Sequence, residues 1–359
     1  MAVPTASPTE AAILDALRAV QDPDLHQDIV TLGFVKDLRV CGDQVAFQIE
    51  LTTPACPVKD LMKGQAERAV KALPGVAGVA IEMTARVTAS RPVLGNKGII
   101  PGVKNVVAVS SGKGGVGKST VAVNLACALR QTGARVGILD ADVYGPNVPM
   151  MLGVSGQPAV VDKKIVPFER HGLQIMSMAL LVAEDQPVIW RGPMLHSAVR
   201  QFLFDVAWHD LDYLVVDLPP GTGDAQLSLS QQAHLMGAVI VTTPQDVSVL
   251  DVKKAIRMFQ TVNVPILGVV ENMSGFLDPI TGMRHDLFGR GGGARLADEI
   301  QAPLLGEVPL QPGLVEAADA GRPIVVESPT SAAAVMLREI ADRIHERAMT
   351  FGVTMPVLE

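Results

Sequence analysis

Hydrophobic and polar positions fall into two regimes along the chain. In the first, up to about residue 88, short helical stretches mix with strictly alternating ones. Ser7-Pro8-Thr9-Glu10 has the form of a capping box with proline at the first helical position, predicting a helix from Pro8 to Val20 that Asp22-Pro23-Asp24 ends. Beyond a segment around Ile29 to Val35, the residues Val45, Phe47, Ile49 and Leu51 alternate with polar ones, the period of a half-buried strand. A helix over Val58 to Leu73 and a strand over Val76 to Val87 complete a small α+β domain, residues 1–88, with a linker over 89–103.

The second regime, residues 104–359, alternates short apolar runs with helical stretches. The runs are Val106 to Ser110, Val136 to Asp140, Leu173 to Ser177, Tyr213 to Asp217, Ala238 to Thr242, Ile266 to Val270 and Leu305 to Glu307. Strands that read as continuous aliphatic runs are buried on both faces, so the pattern predicts an α/β fold, a parallel sheet with helices on both sides. Val335, Met336, Ile340 and Ile344 sit at helical spacing and predict a last helix lying on that sheet.

Composition sharpens this in one respect: 48% hydrophobic but only 4% aromatic residues implies an aliphatic core. The net charge of -7 argues against a chain whose main task is gripping nucleic acid or an anionic membrane. No apolar run approaches the roughly 18 residues of a membrane span, and the N-terminus lacks the order of a signal peptide, so the expected location is the cytoplasm. Three scattered cysteines, Cys41, Cys56 and Cys127, make no disulfide framework, and Cys41 and Cys127 read as buried structural thiols.

Candidate chemistry concentrates after the first strand of the second regime. Gly112 and Gly117-Lys118-Ser119 fit G-x-x-x-x-G-K-[ST] between an apolar strand and a helix, the order that a phosphate cradle needs. Backbone N–H groups along Gly112, Gly114, Gly115, Val116, Gly117, Lys118, Ser119 and Thr120 are then expected to face a polyphosphate at a helix N-terminus. Lys118 is expected to reach the β- and γ-phosphates, and the Ser119 hydroxyl to hold Mg²⁺. Asp217 closes an apolar strand and is the second expected Mg²⁺ residue. Asp142 and Asp140 are the candidates to position an attacking water, Asp142 being nearer the Tyr144 to Asn147 loop. The seven histidines show no metal-ligand spacing.

Lys113-Gly114-Gly115-Val116-Gly117-Lys118-Ser119 resembles the deviant Walker A motif of the family that includes nitrogenase iron protein, the septum-site and plasmid-partition ATPases and the Mrp/ApbC iron-sulfur carriers. The resemblance implies a P-loop NTPase fold and an ATP-sandwich homodimer in which Lys113 reaches the nucleotide of the partner subunit. Asp140 to Asn147, Trp190 to Met194, Asp217 to Asp224 and Glu271-Asn272-Met273-Ser274 resemble the Mrp/ApbC branch, in which Asn272 would read the adenine edge. Thr52-Thr53-Pro54-Ala55-Cys56-Pro57 is similar to the small iron-sulfur assembly domain fused to many such proteins. Its thiol precedes a predicted helix whose dipole favours thiolate, which makes Cys56 the candidate cluster thiol. The branch commonly carries a Cys-x-x-Cys pair after the Glu-Asn-Met-Ser stretch; here Asp278 and Thr281 stand at those positions. The implied function is slow ATP hydrolysis by a homodimer using Mg²⁺, coupled to iron-sulfur cluster assembly or delivery to apo acceptor proteins or a scaffold, with neither nucleic acid nor membrane as partner. The other reading is a nucleotide-gated positioning or adaptor ATPase that carries no cluster.

Overall fold

The computed structural model describes residues 8–22, 27–51, 59–85, 98–142, 145–181, 192–278 and 280–352. The chain divides into two compact units, Met1–Val87 and Thr88–Glu359. Cys56, Trp190, Arg191 and Tyr144 lie outside the described residues.

In the smaller unit, helices α1 (Glu10–Leu17) and α2 (Lys59–Lys71) accompany strands β1 (Val35–Cys41), β2 (Gln44–Leu51) and β3 (Gly78–Ala85). β2 lies between the other two, antiparallel to β1 and parallel to β3. The alternation in β2 is visible as burial, with Val45, Phe47, Ile49 and Leu51 turned into a core that also holds Ile13, Leu17, Met62, Ala66 and Val70. The first helix starts two residues later than the capping box suggests. Thr9 is its N-cap, its hydroxyl accepting from the Ala12 N–H at 3.3 Å. Cys41 is exposed rather than buried. A register break between Lys36 and Arg39, where Asp37 takes φ 48°, puts Cys41 opposite exposed Gln44 on the outer face.

Among the described residues the larger unit is built on a nine-stranded sheet, with a separate two-stranded ribbon pairing Val160–Val161 with Lys164–Ile165. The strands of the sheet are β4 (Val103–Ser111), β5 (Val136–Asp140), β6 (Phe168–Arg170), β7 (Leu173–Ser177), β8 (Leu211–Asp217), β9 (Gly237–Thr242), β10 (Ile266–Leu277), β11 (Arg284–His285) and β12 (Leu304–Leu310). The order is β6-β7-β5-β8-β4-β9-β10-β11, with β12 also on β10; only β6 and β11 run antiparallel to their neighbours. The first strand of the unit, β4, is thus central, and the chain winds out from it in both directions, which opens a crevice at its carboxyl end. Helix α3 (Lys118–Gln131) follows β4 and is buried almost all round, as its run of Val, Ala and Leu requires. Met336 and Ile340 of the last helix, α4 (Ala332–Gly352), fill the space over Gly306 of β12, where a Cβ would meet them.

β10 runs seven residues past Val270, the expected end of the strand. Met273 adopts φ 56° and Gly275 φ 78°, and the register against β12 slips between Asn272 and Phe276. This bulge lets the chain leave the parallel sheet and fold back as a hairpin with β11. A methionine in the left-handed region costs on the order of 1–3 kcal/mol and persists only where its surroundings dictate it.

At the far end of the sheet, the Tyr213 hydroxyl meets Nδ1 of His345 at 2.7 Å, and the His345 Nε2 is buried without a hydrogen-bond partner. Burial drives the His345 pKa down from 6.5 to about 4. The unfolded chain therefore binds this proton more readily, so the stabilisation is complete above about pH 6.5 and is lost as pH falls through 4. The unfolding free energy of the larger unit should fall between pH 7 and pH 4 by on the order of 3 kcal/mol, read as a lower thermal midpoint. His345→Phe should flatten that part of the profile, and an unchanged slope would remove His345 as its source. Among the described residues no helix is long and apolar enough to cross a membrane.

Candidate functional site

The carboxyl end of β4 delivers Ser111 into a glycine loop. Gly115 and Gly117 hold φ 80° and 78°, which side chains disfavour, and a Cβ on Gly117 would fall on the Asn272 amide. Gly112 is needed for a different reason, because its Cα faces the backbone of Asp251 and Val252. The Ser111 hydroxyl donates to the Lys113 carbonyl at 3.0 Å, and the Gly221 N–H donates to the Ser111 carbonyl at 2.8 Å. Gln226 secures the facing turn, its amide donating to the carbonyls of Pro219 at 2.5 Å and Gly221 at 3.0 Å. The loop encloses a cavity of about 360 Å³, lined by Lys113, Gly114, Gly115, Gly117, Lys118, Ser119, Thr120, Asp142 and Pro220 among others. Helix α3 begins here with Gly117 as N-cap and no side-chain cap, so the positive end of its dipole and its first N–H groups face the cavity.

Carboxylates from neighbouring strands converge beneath the loop. The ammonium of Lys118 is 2.6 Å from Asp217 Oδ1, 3.5 Å from Asp142 Oδ2 and 3.2 Å from the Ser119 hydroxyl. Asp217 ends β8 and is fully buried; burial raises its pKa, opposed by Lys118 and by the Ser119 hydroxyl. Its second oxygen, Oδ2, is buried and accepts no hydrogen bond. Asp140, at the end of β5, lies behind Asp142 and is wholly inaccessible. It accepts from the N–H groups of Asp142 and Val148 at 3.1 and 3.3 Å and from the Ser177 hydroxyl at 3.0 Å. Burial first, and the nearby Asp217 second, push its pKa up to about 8. Of the two water-positioning candidates, Asp142 lines the cavity and Asp140 ties β5, β7 and the following turn together.

Asn272 is brought to the same place from β10. Its amide donates to the Val116 carbonyl at 2.8 Å, so it braces the glycine loop directly. Sequence reasoning missed that contact and the groups behind it. Buried Glu271 accepts from the Ser274 hydroxyl and from the Gly293 N–H, both at 2.6 Å, and Ser274 in turn accepts from Arg284 at 3.1 Å. The one legible signal was Gly291-Gly292-Gly293: a Cβ on Gly293 would meet Glu271, and one on Gly292 the Pro244 carbonyl.

Asp278 and Thr281 sit on the turn between β10 and β11. Asp278 Oδ1 accepts from the N–H groups of Ile280 at 2.8 Å and Thr281 at 3.1 Å, which holds its carboxyl below the usual range. The Thr281 hydroxyl accepts from the Met283 N–H at 3.3 Å. Both side chains are thus used to close the turn. Cys127 is buried in α3, its thiol pushed up to about 12 by burial. Among the described residues no group of three or more His, Cys, Asp and Glu side chains is placed to hold a metal ion.

The profile of the family described as NUBPL iron-transfer P-loop NTPase matches residues 102–345, and that of the iron-sulfur cluster assembly protein matches residues 10–83. An iron-sulfur cluster carrier protein of Synechocystis sp. is 52% identical over 342 residues, covering 94% of this chain and 97% of its own. One from Deinococcus radiodurans is 54% identical over 334 residues, covering 92% and 93%. Among solved structures, a nucleotide-binding protein in complex with ADP from Archaeoglobus fulgidus is 40% identical with a TM-score of 0.57, covering 65% of this chain and 92% of that one. The cell division ATPase MinD of Pyrococcus furiosus, 24% identical with a TM-score of 0.52 over 67% of this chain and 98% of its own, shares the fold. A glycine cradle at the centre of a parallel sheet, matched through both units, has one conclusion: the chain belongs to the NUBPL iron-transfer P-loop NTPase family, with an iron-sulfur cluster assembly domain ahead of the NTPase unit.

Proposed function

We propose that this protein binds ATP, hydrolyses it slowly as a homodimer in the cytoplasm, and uses that cycle to assemble iron-sulfur clusters or pass them to apo acceptor proteins. The observation that carries the nucleotide half is the glycine loop at an uncapped helix N-terminus with Lys118 held at its base by Asp217. That is a site with fixed donors for a polyphosphate and an ammonium positioned at the base of the loop to meet it. The residues also fit Mg²⁺. Asp217 Oδ2 is a buried oxygen with no hydrogen-bond partner, and the Ser119 hydroxyl acts on the same carboxyl, an all-oxygen set of the kind a hard cation takes. Ser119 and Asp217 would hold the ion, which would supply charge neutralisation for the phosphates. Asp142, on the cavity wall, is the residue to orient the attacking water, and Asn272 the one to read adenine.

The cluster is cargo. Support for it comes from the relatives, which are named as iron-sulfur cluster carriers, and from the assembly domain that bears Cys56. A second reading, an adaptor ATPase without cargo, is favoured by the turn in which Asp278 and Thr281 bind backbone N–H groups. Anaerobic reconstitution of the full chain with iron and sulfide separates the two. Cluster absorbance in the wild type, its loss in Cys56→Ala and its transfer to an apo ferredoxin are the expected results. No absorbance and no transfer would leave the adaptor.

A further inference from the structure

Three hydrogen-bonded links join the hairpin beyond β10 to the glycine loop. At the loop end, Asn272 donates to Val116 at 2.8 Å, and the Met273 side-chain methyl comes within 3.7 Å of where a Gly117 Cβ would stand. At the hairpin end, Arg284 Nη2 donates to the Ser274 hydroxyl at 3.1 Å, and Ser274 donates to buried Glu271 at 2.6 Å. The Arg284 side chain also lies across Gly275, where a Cβ would come 2.6 Å from Nε. Its guanidinium is anchored from outside by Asp286 at 2.8 Å and Glu307 at 3.8 Å. Glu271 passes the connection on to the helix that starts at Gly292, through the Gly293 N–H. The two ends meet on consecutive residues, Asn272 to Gly275, whose backbone is held in left-handed wells at Met273 and Gly275.

We infer that Arg284 is a positioning residue for the nucleotide site: through Ser274 and the bulge it holds Asn272 against the phosphate loop, and nucleotide occupancy and hairpin order are thereby coupled. The inference rests on the nucleotide reading above. A segment four residues long with both neighbours fixed cannot shift at Ser274 and stay in place at Asn272, so what loosens one end loosens the other. The coupling is reciprocal: a hairpin held by a partner tightens nucleotide binding as much as nucleotide tightens the hairpin. The exposed apolar side chains on that hairpin, Ile280, Met283 and Leu287, make it an element on which such a partner can act.

The test uses the full chain with Mg-ADP, titrated by calorimetry and followed by amide hydrogen exchange. In the wild type, ADP should slow exchange in the first turn of α3 and also in residues 276–289. Arg284→Ala should weaken ADP about five- to twentyfold, a typical coupling, and lose the hairpin response while keeping that of α3. Arg284→Lys, which retains the charge but not the fork, should follow the alanine variant. Ser274→Ala removes the middle link with Arg284 and its anchors in place, and should do the same even where Arg284→Ala fails to fold. ADP affinity within twofold of wild type in Ser274→Ala and Arg284→Lys, with the hairpin response intact, overturns the inference while leaving nucleotide binding standing. A wild type that takes up no ADP overturns both.

Discussion

Lys118→Ala is expected to abolish nucleotide binding: ATP titrated into the variant should give no saturable heat at concentrations that fill the wild type. Lys118 opens α3 at the base of the glycine loop, and it is the cation that Asp217 and Asp142 share. Its loss would remove the ammonium proposed to meet the phosphates and leave the two carboxylates facing them. A second effect follows in the nucleotide-free protein. Asp217 is fully buried, and stripping the partner from a buried charge costs about 3–5 kcal/mol unless the carboxyl takes up a proton. Its pKa is already raised by burial, so part of that cost is avoided by protonation. The double variant Lys118→Ala, Asp217→Asn should therefore regain thermal stability without regaining nucleotide. Binding by Lys118→Ala within tenfold of wild type would take away the main support for the phosphate cradle.

Lys113→Ala is expected to act on turnover instead, lowering ATP hydrolysis by about a hundredfold or more while ATP affinity stays within a few-fold. A cation placed on the transferring phosphoryl group contributes mostly in the transition state, as an arginine finger does. Lys113 lines the cavity by its loop position, with its carbonyl secured by Ser111, and among the described residues it forms no ion pair. In the proposed homodimer its ammonium would be available to a nucleotide held by the other subunit. Mixing settles which nucleotide it serves. A Lys113→Ala subunit can hold ATP, and a Lys118→Ala subunit can lend it Lys113, so the mixture should hydrolyse ATP where neither variant does alone. No recovery on mixing, or wild-type turnover in Lys113→Ala, rules out the trans lysine.

The sheet was legible because its strands are buried on both faces and leave uninterrupted aliphatic runs; Val136–Asp140 and Leu173–Ser177 end where those runs end. The glycine loop was legible for a stricter reason, since the left-handed wells at Gly115 and Gly117 can be filled economically by one residue type, and spacing then fixes Lys118 and Ser119. Parity was not legible where backbone irregularities reset it. Asp37 turns Cys41 outward, and Met273 carries β10 beyond the apolar run that marked it. Nor could residue types alone announce that Glu271, Ser274, Arg284 and Gly293 form one polar chain running from exposed Arg284 to buried Glu271. Each taken alone is an ordinary polar or glycine residue.

The turn at Asp278 has a bearing on any attempt to give this hairpin a metal. Thiols at positions 278 and 281 would remove the acceptors now serving the N–H groups of Ile280, Thr281 and Met283. Two main-chain bonds would remain, Asp278 N–H to the Met283 carbonyl at 3.0 Å and Gly282 N–H to the Asp278 carbonyl at 2.9 Å. A grafted cysteine pair would thus make the order of the tip depend on its load, ordered when metallated and frayed when empty. In the present sequence Asp278 and Thr281 supply those acceptors themselves.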